Sequence, residues 1–120
     1  MTLVDTACWI DHLHRPSGRL EQLLRGKEVL IHPFVLGEIS CGQMQRRKMT
    51  LFVISQLGRA PVAPDEDVLE MVETRQLFGI GLGFIDAHLL MSARIANCAL
   101  MTRDRALIRA AHRLGVAMAA

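Results

Sequence analysis

Met1-Thr2-Leu3-Val4-Asp5-Thr6 opens the chain as a short apolar run that stops at an acid and then a hydroxyl. It reads as a buried central strand with Asp5 at its carboxyl end. Ligands of open parallel sheets bind beyond the carboxyl ends of the strands, near the point where strand order reverses, so Asp5 is a candidate site residue from the outset. Three more acids join it further along: Glu38, Asp86 and Asp104.

Working outward, Thr6 is expected to cap a helix over residues 7–14, its hydroxyl accepting from an amide of the first turn. Pro16-Ser17-Gly18 breaks the chain, and a helix over 18–25 carries Leu20, Leu23 and Leu24 on one face, with Gly26 at its end. Residues 29–31 form the second strand. Pro33 suits the first turn of a helix running to about Arg47, with Phe34, Val35, Ile39 and Cys41 or Gly42 inward and Glu38 among them. A further helix spans 50–57. Pro61-Val62-Ala63-Pro64 allows only a short edge strand, and Asp65 is expected to cap a helix to about Leu77. After the glycine-rich loop 78–83 comes a long helix over 84–97 with Asp86 in its first turn. The continuous apolar strand 98–102 implies helices on both sides of the sheet. Asp104 opens a helix with Leu107, Ala110, Ala111 and Leu114 inward, and 115–118 is a last, weaker strand. The fold class is α/β, a three-layer α/β/α arrangement around a short central parallel sheet.

The 120 residues suit one domain, large enough to bury a core without disulfides or a structural metal. A hydrophobic content of 51% with only 4% aromatic points to an aliphatic core. A net charge of +2 is too small to imply nucleic-acid binding by itself. Cys8, Cys41 and Cys98 are odd in number, widely spaced and set in apolar surroundings, which suggests neither a disulfide framework nor a zinc knuckle and fits a reducing cytoplasm. No leader pattern is visible, and no apolar run reaches the roughly 18 residues a membrane span needs.

All four acids can face one cleft. A helix N-terminus favours an anion by only about 0.3 to 1 kcal/mol, too little to offset four crowded charges, whereas a divalent cation would. Carboxylates without paired His or Cys select hard ions such as Mg²⁺ or Mn²⁺. Taken singly, each acid is more often a cap or an ion-pair member; the conjunction is what carries the site. Asp11 reads as a surface helix acid, and His12 and His14, two apart, share no helix face for zinc. His88 is expected to be a structural hydrogen-bonder. Asp65, Glu66, Asp67, Glu70 and Glu73 read as a solvated face, and Met44, Met71, Met91 and Met101 as core filler. Gly79, Gly81 and Gly83 follow a helix instead of a strand, which excludes a dinucleotide loop.

Val4-Asp5-Thr6-Ala7-Cys8-Trp9-Ile10-Asp11, Leu36-Gly37-Glu38-Ile39, the run Gly81 to Leu90 and Thr102-Arg103-Asp104 resemble the PIN-domain ribonucleases, specifically the VapC-like toxins of bacterial toxin-antitoxin pairs. By that resemblance Asp5, Glu38, Asp86 and Asp104 are the catalytic and metal-binding acids, using Mg²⁺ or Mn²⁺ to cleave RNA. Thr6 and Thr102 support them. Arg103 and Arg105, which flank Asp104, are candidate RNA contacts. The resemblance also implies a cognate antitoxin and a homodimer; Trp9, Leu13, Leu20 and Leu24 are candidates for the antitoxin groove. Two departures stand out: Ala7 replaces the usual Ser or Asn, and the loop 78–81 lacks a common Arg. A non-cleaving PIN-like module that binds RNA or protein is the competing reading, against which the presence of all four acids counts. A phospho-receiver domain would need an adjacent acidic pair after the first strand, which Asp5-Thr6 does not supply.

Overall fold

The computed structural model describes residues 1–16 and 18–119, so the expected break at Pro16-Ser17-Gly18 lies outside the described residues at Ser17. In chain order the elements are β1 (Thr2–Val4), α1 (Thr6–His14), α2 (Gly18–Arg25), β2 (Val29–Ile31), α3 (Pro33–Ser40), α4 (Arg47–Ser55), β3 (Gly58–Arg59), α5 (Asp65–Thr74), α6 (Phe84–Ala96), β4 (Ala99–Met101) and α7 (Arg105–Leu114). The four strands pair in the order β3-β2-β1-β4, all parallel. Thr2 and Leu3 stand opposite Val29 and Leu30 on one side and Ala99 and Leu100 on the other. Successive strands step outward from β1 to β3, and the chain then returns across the sheet to β4. The order therefore reverses between β1 and β4, and right-handed crossovers put α1 to α4 on one face and α5 and α6 on the other. Helix contacts agree: α1 packs on α3 and α3 on α4, while α6 packs on both α5 and α7.

Strands buried on both faces must be apolar throughout, and Leu3, Val4 and Leu100 are fully buried. Trp9, Leu20, Val35 and Ile39 cover the sheet from α1 to α3, and Leu89, Leu90 and Leu107 from α6 and α7. Burying each such side chain contributes about 1.5 to 3 kcal/mol. On α7 the residues Ala106, Leu107, Ala110 and Ala111 are the buried set, at the spacing of one helix face. Gly115, at φ 70, ends that helix in the left-handed region. Among the described residues no helix is long and apolar enough to cross a membrane.

Several expectations shift. The third helix stops at Ser40 instead of Arg47, leaving Cys41 and Gly42 exposed, because residues 41–46 turn and a new helix begins at Arg47. Phe34 is 36% exposed and rests against the rings of His32 and His88. The edge strand falls at Gly58–Arg59, before Pro61 and Pro64, whose missing amides cannot enter a ladder. The last strand is reduced to a single bridge between Leu100 and Met118. The left-handed residue after α2 is Lys27, not Gly26. Asp5, not Thr6, caps α1: its Oδ1 accepts from the Cys8 amide at 2.9 Å. Pro64 occupies the cap position of α5, so Asp65 is its first helical residue.

Candidate active site

Asp5 sits at the carboxyl end of β1, on the side where strand order reverses, and is 5% exposed. Such burial is tolerable for a carboxylate only if its oxygens are engaged. Oδ1 holds the Cys8 amide, and Oδ2 accepts from the Thr102 hydroxyl at the end of neighbouring β4. The same hydroxyl oxygen accepts from the Asp104 amide at 3.0 Å. Asp104 in turn caps α7, its Oδ1 accepting from Leu107 at 2.9 Å, as the sequence suggested. Thr102 thus ties the two strand-end acids together, and parallel pairing of Val4 with Met101 makes that possible.

Glu38, on the exposed side of α3, accepts from the Thr6 hydroxyl at 2.6 Å across 32 residues of sequence. Asp86, in the first turn of α6, is half-buried and has no hydrogen-bond partner among the described residues. Its carboxyl is pushed up from 3.8 to about 6, first by burial and then by the charges of Asp104, Asp5 and Glu38. The charges of Asp104, Asp5 and Glu38 therefore reach the Asp86 carboxyl. The all-oxygen donor chemistry of the four acids fits a hard divalent ion. Among the described residues, however, no three His, Cys, Asp or Glu side chains are already gathered closely enough to form a ligand set.

The other expected contacts divide. Arg103 is ion-paired with Asp11 on α1, so neither is a lone surface charge. Arg105 is exposed on the first residue of α7, and among the described residues no side-chain bond ties it to the acids. Of the residues considered for a docking groove, Trp9, Leu13 and Leu24 line a hollow of about 340 Å³ together with Val53 and Ile54 of α4. Leu20 is instead fully buried.

Two residues on from Asp86, His88 forms with His32 a buried histidine pair that the sequence revealed only in part. His88 is a hydrogen-bonder as expected: its Nε2 lies 2.8 Å from Asp65 Oδ1, which assigns the proton to that nitrogen. His32, at 0% exposure, caps α3, its Nδ1 accepting from the Phe34 amide at 3.0 Å. Burial and the neighbouring His88 hold its pKa down at about 4, so the ring is neutral with the proton on Nε2. Phe34 and Phe84 pack edge-on to His88 at 4.9 and 4.8 Å between ring centres. A histidine immediately before Pro33 was the available signal for this cap. Also unforeseen were Arg15 and Arg19, which with Arg103 line a cavity of about 840 Å³ beside Asp5. The Cys8 thiol, on the same wall, is raised to about 11, chiefly by burial and then by Asp5, and so stays protonated.

The sequence profile of the PIN domain matches residues 2–113. Ribonuclease VapC32 of Mycobacterium tuberculosis is 41% identical over 120 residues, covering 99% of this chain and 97% of that protein. Among solved structures, FitAcB from Neisseria gonorrhoeae superposes with a TM-score of 0.65 at 16% identity, covering 98% of this chain and 96% of that one. A toxin-antitoxin complex from Klebsiella pneumoniae gives 0.64 at 24% identity, covering 87% of each chain. With its acids at the β1/β4 switch point and this breadth of similarity, the chain belongs to the PIN-domain family, as a VapC-like ribonuclease.

Proposed function

We propose that this protein is a metal-dependent endoribonuclease toxin that hydrolyses RNA phosphodiester bonds and is neutralised by a cognate antitoxin. The observation that carries the reading is the Asp86 carboxyl, raised to about 6 first by burial and then by the charges of Asp104, Asp5 and Glu38. A fold with no use for a cation gains nothing from that crowding. The 41% identity to a ribonuclease, spread over nearly the whole chain, supports RNA as the substrate.

Asp5, Asp86 and Asp104 would hold Mg²⁺ or Mn²⁺, with Glu38 as a further ligand or a water-orienting group. When bound, such an ion lowers the pKa of a water and neutralises charge on the phosphate. The chain's own residues prepare the site. Thr102 and the Cys8 amide each donate to Asp5 and keep it a fixed acceptor. The Leu107 amide holds one oxygen of Asp104, and the Thr6 hydroxyl holds one oxygen of Glu38. Asp86 has no side-chain hydrogen bond among the described residues, which leaves its carboxyl for the ion.

The antitoxin is assigned the apolar groove of Trp9, Leu13, Leu24, Val53 and Ile54. A basic side chain of that partner reaching the acids would neutralise them as a cation does. A homodimer is assigned to the α3–α4 face, where Phe52 is 65% exposed beside Leu36 and Leu51.

The test uses purified wild-type protein, Asp86→Asn and Asp67→Asn on structured RNAs, with Mg²⁺ and with chelator. Wild type and Asp67→Asn cleave in Mg²⁺ and stop in chelator, and Asp86→Asn is inert. Full cleavage by Asp86→Asn overturns the site assignment; RNA held but never cut by wild type favours the non-cleaving module.

A further inference from the structure

An RNA nuclease with four clustered carboxylates faces an electrostatic problem, because the groups that do the chemistry repel the substrate's phosphates. Setting Asp5, Glu38, Asp86 and Asp104 aside leaves 14 Lys and Arg against 8 acids, so the compensating charge is present elsewhere on the chain. The question is which cations lie next to the site.

The cavity of about 840 Å³ at the carboxyl end of β1 and β4 answers it. Its wall includes Cys8, whose amide binds Asp5, and Thr102, whose hydroxyl binds Asp5, so it adjoins the acid site directly. Arg15, Arg19, Arg103 and His14 line it, and Asp11, the single acidic side chain among the described residues of its wall, is paired with Arg103. Among the described residues the neighbouring apolar groove has Arg46 as its only Arg or Lys, and the α3–α4 hollow only Lys48. Its volume falls within the roughly 300 to 1,000 Å³ of small-ligand sites. Helix α1 links the two places: Asp5 caps its N-terminus, and Arg15 stands at its C-cap, where the helix dipole favours a cation. Nine helical residues span about 13 Å. That separation suits contacts to phosphates flanking the cleaved bond instead of to the cleaved phosphate itself.

We propose that this cavity is a subsite for the RNA strand on one side of the cleaved bond, with Arg15 and Arg19 as phosphate-binding residues and Arg103 held in reserve by Asp11. The inference rests on the nuclease reading and adds where the strand lies. Arginine suits the task because its fork can take two phosphate oxygens at once. An acidic peptide of a protein partner is disfavoured as occupant, since it would gain nothing from lying against four carboxylates.

The experiment compares wild type, Arg15→Gln/Arg19→Gln and Arg75→Gln, the last an exposed arginine outside the cavity. Fluorescence anisotropy with a single-stranded oligoribonucleotide in chelator, the RNA verified intact on a gel, gives affinity as a function of salt. Steady-state cleavage in Mg²⁺ gives kcat and KM. The double variant, both of whose sites are exposed, melts with wild type but binds roughly tenfold more weakly at low salt. Its log–log salt slope is shallower by about 1.4, two single-strand phosphates' worth. Its KM rises similarly while kcat stays within about twofold, and Arg75→Gln matches wild type. An unchanged salt slope and KM in the double variant overturn the subsite, as does a loss confined to antitoxin affinity. A wild type that binds RNA through these arginines but cleaves none overturns the nuclease reading and leaves the subsite standing.

Discussion

Asp5 and Asp104 stand at strand ends and are fixed by the chain around them, whereas Glu38 and Asp86 ride on helices with little or nothing holding them. The first pair has two jobs. Each caps a helix, and both lie on the Thr102 hydroxyl that joins β1 to β4. The second pair does nothing for the fold: Glu38 is exposed with one bond from Thr6, and Asp86 has only the repulsion of its neighbours. The difference teaches that one acidic site can be part scaffold and part added charge, so stability and activity should separate between the pairs.

Asp5→Ala is the strongest test of the scaffold half. It removes a cap, costing about 1 kcal/mol. It also leaves the Thr102 hydroxyl, 8% exposed, without an acceptor, at about 1 to 3 kcal/mol. Cleavage is lost and melting falls by on the order of 10 °C. A melting point equal to wild type by calorimetry would break the comparison.

Asp86→Asn should move stability the other way while also abolishing cleavage. A folded pKa raised to about 6 means that the native state holds more protons than the unfolded chain. The Asp86 contribution to stability therefore falls as pH rises from 3.8 through 6, and the penalty is fully present at pH 7. His32 works in the opposite sense. With a folded pKa lowered from 6.5 to about 4, its contribution is present above 6.5 and is lost as pH falls toward 4. The two trends oppose each other in wild type, so the informative quantity is the difference between mutant and wild type, from which His32 cancels. Apo Asp86→Asn melts higher than apo wild type at pH 7, and the gap closes near pH 4. A mutant that melts lower at pH 7 sinks the idea of uncompensated charge.

The smallest effect sharpens the comparison from the Glu38 side. Thr6→Val removes the bond to an exposed carboxylate, so stability changes by less than about 1 kcal/mol. Cleavage falls several-fold because Glu38 loses its orientation. A melting loss as large as that of Asp5→Ala would place Glu38 in the scaffold half instead.

Much of this was readable in the residues. Leu3 and Val4 ahead of Asp5, and Leu100 and Met101 ahead of Thr102, are continuous apolar runs, and such runs can be satisfied only by a sheet covered on both faces. The Asp104 cap of α7 was legible because its signal is local: an acid next to the first helical turn, then Leu107, Ala110 and Ala111 at one face's spacing. Where local signals competed, reading failed. Asp5 and Thr6 are both good caps, and Asp5 takes the position because its backbone is still extended while Thr6 is already helical. Residues 33–47 carry helical periodicity past Ser40, yet α3 ends there and the chain turns over 41–46 before α4, which packs on α3.

The sequence by itself determined the kinds of groups: acids after a strand and in first helical turns, Glu38 within a helix, hydroxyls beside Asp5 and Asp104, an aliphatic core and a β/α order that dictates a parallel sheet. Those follow from side-chain chemistry and from periods of a few residues. Only the tertiary structure decided which groups meet. The Thr6–Glu38 bond spans 32 residues and the Thr102–Asp5 bond 97. Arg103 turned from a free cation into a partner of Asp11, and Arg15 and Arg19 became the wall of a cavity beside Asp5. Burial and the charge of three distant acids raised Asp86 while Asp104, a cap, kept its local role. The physical reason is that caps and periodicity act over one helical turn, whereas Coulomb energy and desolvation depend on distances in space, and those exist only once β4 has paired with β1.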